Sequence, residues 1–216
     1  MIKTVRTVIM IKTVRTVMLL ILLGQVGALA QRSPVQARAG AKDETPRTTP
    51  VQVGETAPDF TLEDESGRSV QLAAARGKMP VVLVFYRGWW CPYCARQLSG
   101  LRSLLKAKEK VALYAVSIDA HDKGKELKDK IAADGKGALN FPLLSDPGHR
   151  VITAYGLVDH RYDGQSYQGI NFEGVPVAAT YVIDKKGRVA WARFDEDYKQ
   201  RPPNEAIRAA LAALKK

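Results

Sequence analysis

Two cysteines and three histidines in 216 residues leave little room for whole classes of architecture. A multi-disulfide scaffold needs more cysteine, and a zinc cage needs more cysteine and histidine at ligand spacing, so neither a metal nor a cofactor is expected. Long apolar runs are missing too. The run Val17-Met18-Leu19-Leu20-Ile21-Leu22-Leu23 is far short of the roughly twenty residues a membrane-spanning helix requires. Acid is absent from the first thirty residues, which carry Lys3, Arg6, Lys12 and Arg15. Net charge is +11; without those four bases, 29 basic residues face 22 acidic ones, a surplus of +7. The charges are interspersed rather than gathered, which reads as a solvated basic surface and argues against nucleic acid as a partner. At 46% hydrophobic and 25% charged, the composition is that of a globular protein.

The N-terminus reads as an address. MIKTVRTVI at 1–9 is followed by MIKTVRTVM at 10–18, a repeat too short for a solenoid unit and better taken as a duplicated start, with Met1 or Met10 as initiator. A basic segment, the short apolar run and the A-x-A pattern Ala28-Leu29-Ala30 together predict a signal peptide over 1–30 and a mature chain beginning near Gln31. Export to a periplasm or the exterior is therefore expected. Membrane anchoring is the alternative if the signal is not cleaved, and a membrane is a partner only then. No cysteine follows the apolar run, which excludes a lipid-bearing cysteine anchor. Residues 31–50 hold three prolines and, apart from Val35, no bulky apolar side chain, so they are predicted to be a disordered spacer.

From residue 51 onward strands and helices alternate. Ala57-Pro58-Asp59-Phe60-Thr61-Leu62 and Ser69-Val70-Gln71-Leu72 flank a glycine turn and predict an N-terminal hairpin. Val81-Val82-Leu83-Val84-Phe85-Tyr86 and Val111-Ala112-Leu113-Tyr114-Ala115-Val116 are apolar runs expected of strands covered on both faces. Leu98, Leu101, Leu104 and Leu105 recur at helical spacing, with Gly100 inside that stretch and tight packing its expected reason. Leu127 and Ile131 mark a charged helix, and Val151, Ile152 and Tyr155 a short one. Thr180–Asp184 and Arg188–Arg193 flank Lys185-Lys186-Gly187 as a second hairpin, and Pro202-Pro203-Asn204 opens a last helix with Ile207, Leu211 and Leu214 on one face. This order predicts one α/β domain over 51–216, a mixed central sheet flanked by helices.

The chemistry is concentrated in Phe85-Tyr86-Arg87-Gly88-Trp89-Trp90-Cys91-Pro92-Tyr93-Cys94. It places a C-x-x-C after a buried strand and at the start of a helix. Pro92 suits the first helical position, which makes Cys91 the N-cap and puts Cys94 in the first turn. Free amide hydrogens and the positive end of the helix dipole favour a thiolate there, and residues three apart on a helix are near enough for reversible disulfide formation. A structural disulfide, a zinc half-site and two inert thiols are the competing readings. Closing a four-residue ring restricts the unfolded chain by only about 2 kcal/mol, and the sequence offers no second ligand pair, so redox activity is favoured. Trp89 and Trp90 read as part packing and part rim. His121, His149 and His160 fall in loop-like stretches and read as exposed or capping residues.

The chain resembles the peroxiredoxin-like branch of the thioredoxin superfamily, the alkyl hydroperoxide reductase/thiol-specific antioxidant family, from about Val53 to its end. The resemblance is carried by Gly54 with Ala57-Pro58-Asp59-Phe60, by the Phe85 to Cys94 block, by Phe141-Pro142-Leu143-Leu144-Ser145-Asp146 leading into Tyr155-Gly156, and by Tyr181-Val182-Ile183-Asp184 before Gly187. It implies a thioredoxin-like fold. Aligned by spacing, Cys94 falls on the peroxidatic position, Cys91 stands where the family carries a hydroxyl residue, Arg87 where it carries proline, and Ala178 where it carries arginine. The implied activity is thiol-dependent reduction of peroxides, with Cys91 and Cys94 as catalytic redox pair, Arg87 as candidate support for a thiolate, and an external dithiol as electron donor. Two alternatives stand beside it: a thiol–disulfide oxidoreductase acting on protein cysteines, and a non-enzymatic exported domain whose C-x-x-C is a structural disulfide. Greater exposure of an N-cap favours Cys91 as nucleophile toward protein disulfides, and the family spacing favours Cys94 toward peroxides.

Overall fold

The structure, a computed structural model, describes residues 46–106 and 108–215. The signal peptide and most of the spacer expected from the sequence lie outside the described residues. At its centre is β3 (Val81–Phe85), five consecutive buried residues of the β-branched and aromatic kind that suit a strand covered on both faces. It runs parallel to β4 (Ala112–Ser117) and antiparallel to β8 (Ala178–Ile183). The helices α1 (Pro92–Leu101) and α2 (His121–Ala132) lie in the two crossovers that carry the chain from β3 to β4 and from β4 to the parallel β5 (Leu143–Ser145). The hairpin β1 (Thr61–Asp64) and β2 (Ser69–Gln71) joins the same sheet through β5, and β9 (Val189–Asp195) closes the other edge. The order is β2-β1-β5-β4-β3-β8-β9 in one mixed sheet of seven strands. A small separate hairpin, β6 (Ser166–Tyr167) and β7 (Ile170–Asn171), was not foreseen from the sequence.

Side-chain alternation along β3 divides the interior in two. Val82 and Val84 face a core with Leu98, Leu101, Leu127, Ile131 and, from the last helix α4 (Asn204–Ala213), Ile207 and Leu211. Val81, Leu83 and Phe85 face the opposite layer with Leu72, Tyr181, and Ile152 of α3 (Arg150–Ala154). There Phe85, Tyr155 and Tyr181 pack at ring separations of 4.8, 6.0 and 5.4 Å, and Tyr155 donates its hydroxyl to the Pro58 carbonyl at 3.0 Å. The Asp146 carboxylate accepts from the amides of Arg150, Val151 and Ile152, which fixes the start of α3.

Two expectations are corrected. The helix read through Leu105 stops at Leu101: the amides of Ser103 and Leu104 turn back to Gly100 and Leu101, and Arg102 and Asn204 side chains take the Ser99 and Gly100 carbonyls. Gly100 itself is exposed, with open space where a Cβ would stand, so tight packing is not its reason. The spacer also ends earlier than residue 50. Arg47 pairs with Glu55 at 2.8 Å, and the Thr49 carbonyl lies against Gly156.

Candidate active site

Strand β3 delivers the loop 86–90 to the carboxyl end of the sheet, and α1 starts directly behind it. Pro92 occupies the first helical position, where its missing amide hydrogen costs nothing. Cys91 is the N-cap in extended conformation, and its Sγ accepts the Cys94 amide at 3.3 Å, the role an oxygen of Ser or Asp ordinarily fills. Gly88 has no alternative in this loop: a Cβ there would stand 2.6 Å from Trp90 Nε1 and 3.1 Å from Asp119 Oδ1.

Neither cysteine is in a disulfide, and both are buried, Cys91 at 1% exposure and Cys94 at 0%. This overturns the expectation that the N-cap sulfur is the more accessible one. Trp89, Trp90 and Tyr93, each half-buried, pack against the core cluster that contains the pair. The two sulfurs are electrostatically unequal. Burial opposes ionising Cys94, but the hydrogen bond from Cys91, the Arg201 charge and the Arg87 amide outweigh it and bring its pKa down to about 6. Cys91 is pushed up, chiefly because it donates its proton to Cys94 and secondarily by burial. Of the two sulfurs, Cys94 is therefore the one whose thiolate the surroundings favour.

Arg201 is the site residue that sequence reasoning missed. Its Nη2 donates to Cys94 Sγ at 3.3 Å from residues 196–203, the strap between β9 and α4. Its Nε donates to Gln97 Oε1 at 2.7 Å, and Nη1 donates to the Tyr198 carbonyl at 2.7 Å and to that of Gln200. No local signal marks an arginine that lies 107 positions from its sulfur.

Arg87 is placed otherwise than a side-chain support for the thiolate. Its buried guanidinium carbon lies 4.2 Å from the Tyr162 ring centroid, 4.7 Å from Tyr198 and 5.1 Å from Trp90, a cation among three aromatic faces. Its backbone amide favours the Cys94 thiolate. Beneath the loop, burial holds the Tyr86 phenol neutral and raises the Asp119 carboxyl beside it. His121 pairs with Glu63 and His160 with Asp163, away from the sulfurs. Among the described residues no group of His, Cys, Asp or Glu is arranged to hold a metal ion.

A family model described as the AhpC/TSA family matches residues 53–192, more than half of the chain. The chain belongs to the AhpC/TSA family. The chloroplastic peroxiredoxin Q of Oryza sativa subsp. japonica is 33% identical over 172 residues, covering 76% of this chain and 71% of that protein. Among solved structures, peroxidoxin BcpB from Mycobacterium tuberculosis superposes with a TM-score of 0.59 at 25% identity, over 76% of this chain and 97% of its own. A peroxiredoxin-like protein from Aquifex aeolicus shares the fold with a TM-score of 0.64 at 18% identity, over 77% and 89% of the two chains. As an AhpC/TSA member the chain is a thiol-dependent oxidoreductase of the thioredoxin superfamily.

Proposed function

We propose that this protein reduces hydroperoxides through a Cys91–Cys94 dithiol–disulfide cycle in an exported setting. The observation that carries the reading is the geometry of the pair: Cys94 Sγ accepts from Arg201 Nη2 at 3.3 Å, which favours its thiolate, and Cys91 lies one helical turn away with its Sγ on the Cys94 amide. The Cys94 thiolate attacks the terminal oxygen of ROOH and the O–O bond breaks. With one proton taken up, Cys94 becomes a sulfenic acid and ROH leaves. The Cys91 sulfur then attacks the sulfenic sulfur, hydroxide leaves, and with the Cys91 proton it departs as water. An external dithiol reduces the resulting disulfide by exchange and is itself oxidised.

Burial of both sulfurs favours a small oxidant over the disulfide of a folded client, which would need a much wider opening to reach either sulfur. The A-x-A pattern behind the short apolar run supports export, with a mature start near Gln31. The test is intact mass of the reduced protein before and after one equivalent of hydrogen peroxide. Loss of two hydrogens within seconds, reversed by a dithiol, is expected. Gain of one oxygen with no later loss of water refutes the paired cycle, and no change at all refutes peroxide as oxidant. N-terminal sequencing of the exported form tests the start; intact Met1 or Met10 in a cytosolic fraction refutes export.

A further inference from the structure

The strap 196–203 approaches the dithiol with a single charged side chain aimed at a sulfur. All three guanidinium nitrogens of Arg201 are engaged, and only one of them on cysteine: Nη2 on Cys94 Sγ, Nε on Gln97, Nη1 on two carbonyls of the strap itself. Gln97 lies one turn after Cys94 on α1 and reaches Thr180 of β8 at 3.4 Å, so the guanidinium is braced from the helix and from its own strap. A fork fixed at both ends offers its remaining nitrogen in one direction, and that direction is the sulfur. The other groups facing Cys94 are the Cys91 thiol from its own helix, the Arg87 amide from the loop and the Tyr86 phenol from beneath. Asp119 stands behind Tyr86 and adds no positive charge. Arg87 spends its charge on three rings. Ala178, where the family resemblance places an arginine, is a buried alanine at the start of β8.

We infer that Arg201 is the positioning residue that makes Cys94 the thiolate of the pair, its charge delivered by the strap between β9 and α4 instead of by the strand β8. The inference builds on the Cys91–Cys94 cycle, but its primary readout needs no turnover. Without the guanidinium the sulfur keeps its burial and loses the cation bonded to it, so the thiolate form loses its advantage over the thiol. Lysine at the same place keeps a charge but loses the fork, and restores part of the effect.

The experiment uses the full chain carrying Cys91→Ser, so that one sulfur remains, and follows thiolate absorbance and iodoacetamide alkylation against pH. Cys91→Ser alone supplies the reference midpoint, since its hydroxyl still donates toward Cys94. Adding Arg201→Gln is expected to move that midpoint upward by at least one pH unit, and Arg201→Lys to move it less. In the chain with both cysteines, Arg201→Gln should slow peroxide consumption at pH 7 at least about twofold, the loss of thiolate when a midpoint of about 6 rises by one unit, and recover most of the rate at pH 9. A strap that merely braces the fold predicts a deficit that is the same at both pH values. An unchanged midpoint in Arg201→Gln, or a Lys variant as displaced as the Gln variant, overturns the inference. Because the midpoint is read without peroxide, it stands even if the wild-type chain consumes none; that failure would count against the proposed cycle alone.

Discussion

Ionisation of Cys94 ties the stability of the reduced protein to pH, and the sign follows from the site. The ordinary thiol value is 9.0, and the folded protein lowers it to about 6. A folded pKa below the unfolded one means the folded chain releases a proton that the unfolded chain still holds between those two values. The stabilisation is fully present above pH 9 and is lost as pH falls through about 6. From pH 6 to pH 8 it should grow by about 2 kcal/mol, at most 1.36 kcal/mol per unit for one proton. Cys91 does not disturb this window, because its value is raised and it stays a thiol in both states. The perturbation is Cys94→Ser, which removes the titrating group; it also removes the chief cause of the raised Cys91 value, and burial then keeps Cys91 a thiol across this window. Urea denaturation of the reduced wild type and the reduced variant, each at pH 6 and pH 8, gives the difference of differences. Parallel behaviour of the two proteins, or a wild type that loses ground to the variant as pH rises, refutes the assignment of the thiolate to Cys94.

Three further outcomes are expected. Gly100→Ala should stabilise the domain by about 0.5–1 kcal/mol in denaturant, since a Cβ there meets nothing within 4 Å and the helix gains propensity; a loss of stability would show an unseen constraint. Leu98→Ala empties a fully buried position of α1 and should cost about 2–5 kcal/mol by the same measurement, and a cost below 1 kcal/mol would mean that the layer between helix and sheet refills easily. Gly156→Ala should destabilise by more than about 1 kcal/mol and expose residues 46–50 to protease, because the glycine has φ +65° and a Cβ would stand 2.0 Å from the Thr49 carbonyl oxygen; unchanged proteolysis there would refute the docking of that segment.

The parts of the fold legible in the sequence are those with short-range causes. Val81–Phe85 reads as a doubly covered strand because every residue is apolar, and Cys91 reads as an N-cap because Pro92 follows it. The Thr180–Asp184 and Arg188–Arg193 hairpin reads from its Lys-Lys-Gly turn and appears as β8 and β9. What sequence could not supply were causes that act through space. Arg201 follows the second strand of that hairpin and meets Cys94 only because β8 pairs with β3. Arg87, three residues from Trp90, reads locally as a cation beside a thiol; tertiary packing turns it toward Tyr162 and Tyr198. Helix α1 was read too long since the leucine spacing continues past Leu101, whereas the chain bends there and still buries Leu104.

The aromatic enclosure of Arg87 also sets an order of events on heating. It fastens together three pieces of chain: the loop before Cys91, the segment around Tyr162 and the strap bearing Tyr198. The Tyr162 segment carries only the two-residue strands β6 and β7, which stand apart from the main sheet. Segments joined by side-chain contacts around one cation open at lower free energy than the seven-stranded sheet beneath them. The rim around the sulfurs is therefore a separate cooperative unit, shed before the body of the domain melts. Hydrogen exchange should show the amides of 160–172 and 196–201 exchanging by local opening while those of β3 exchange only by global unfolding. Activity would then vanish at a temperature where the sheet is still intact, and equal protection of rim and sheet would refute the separation.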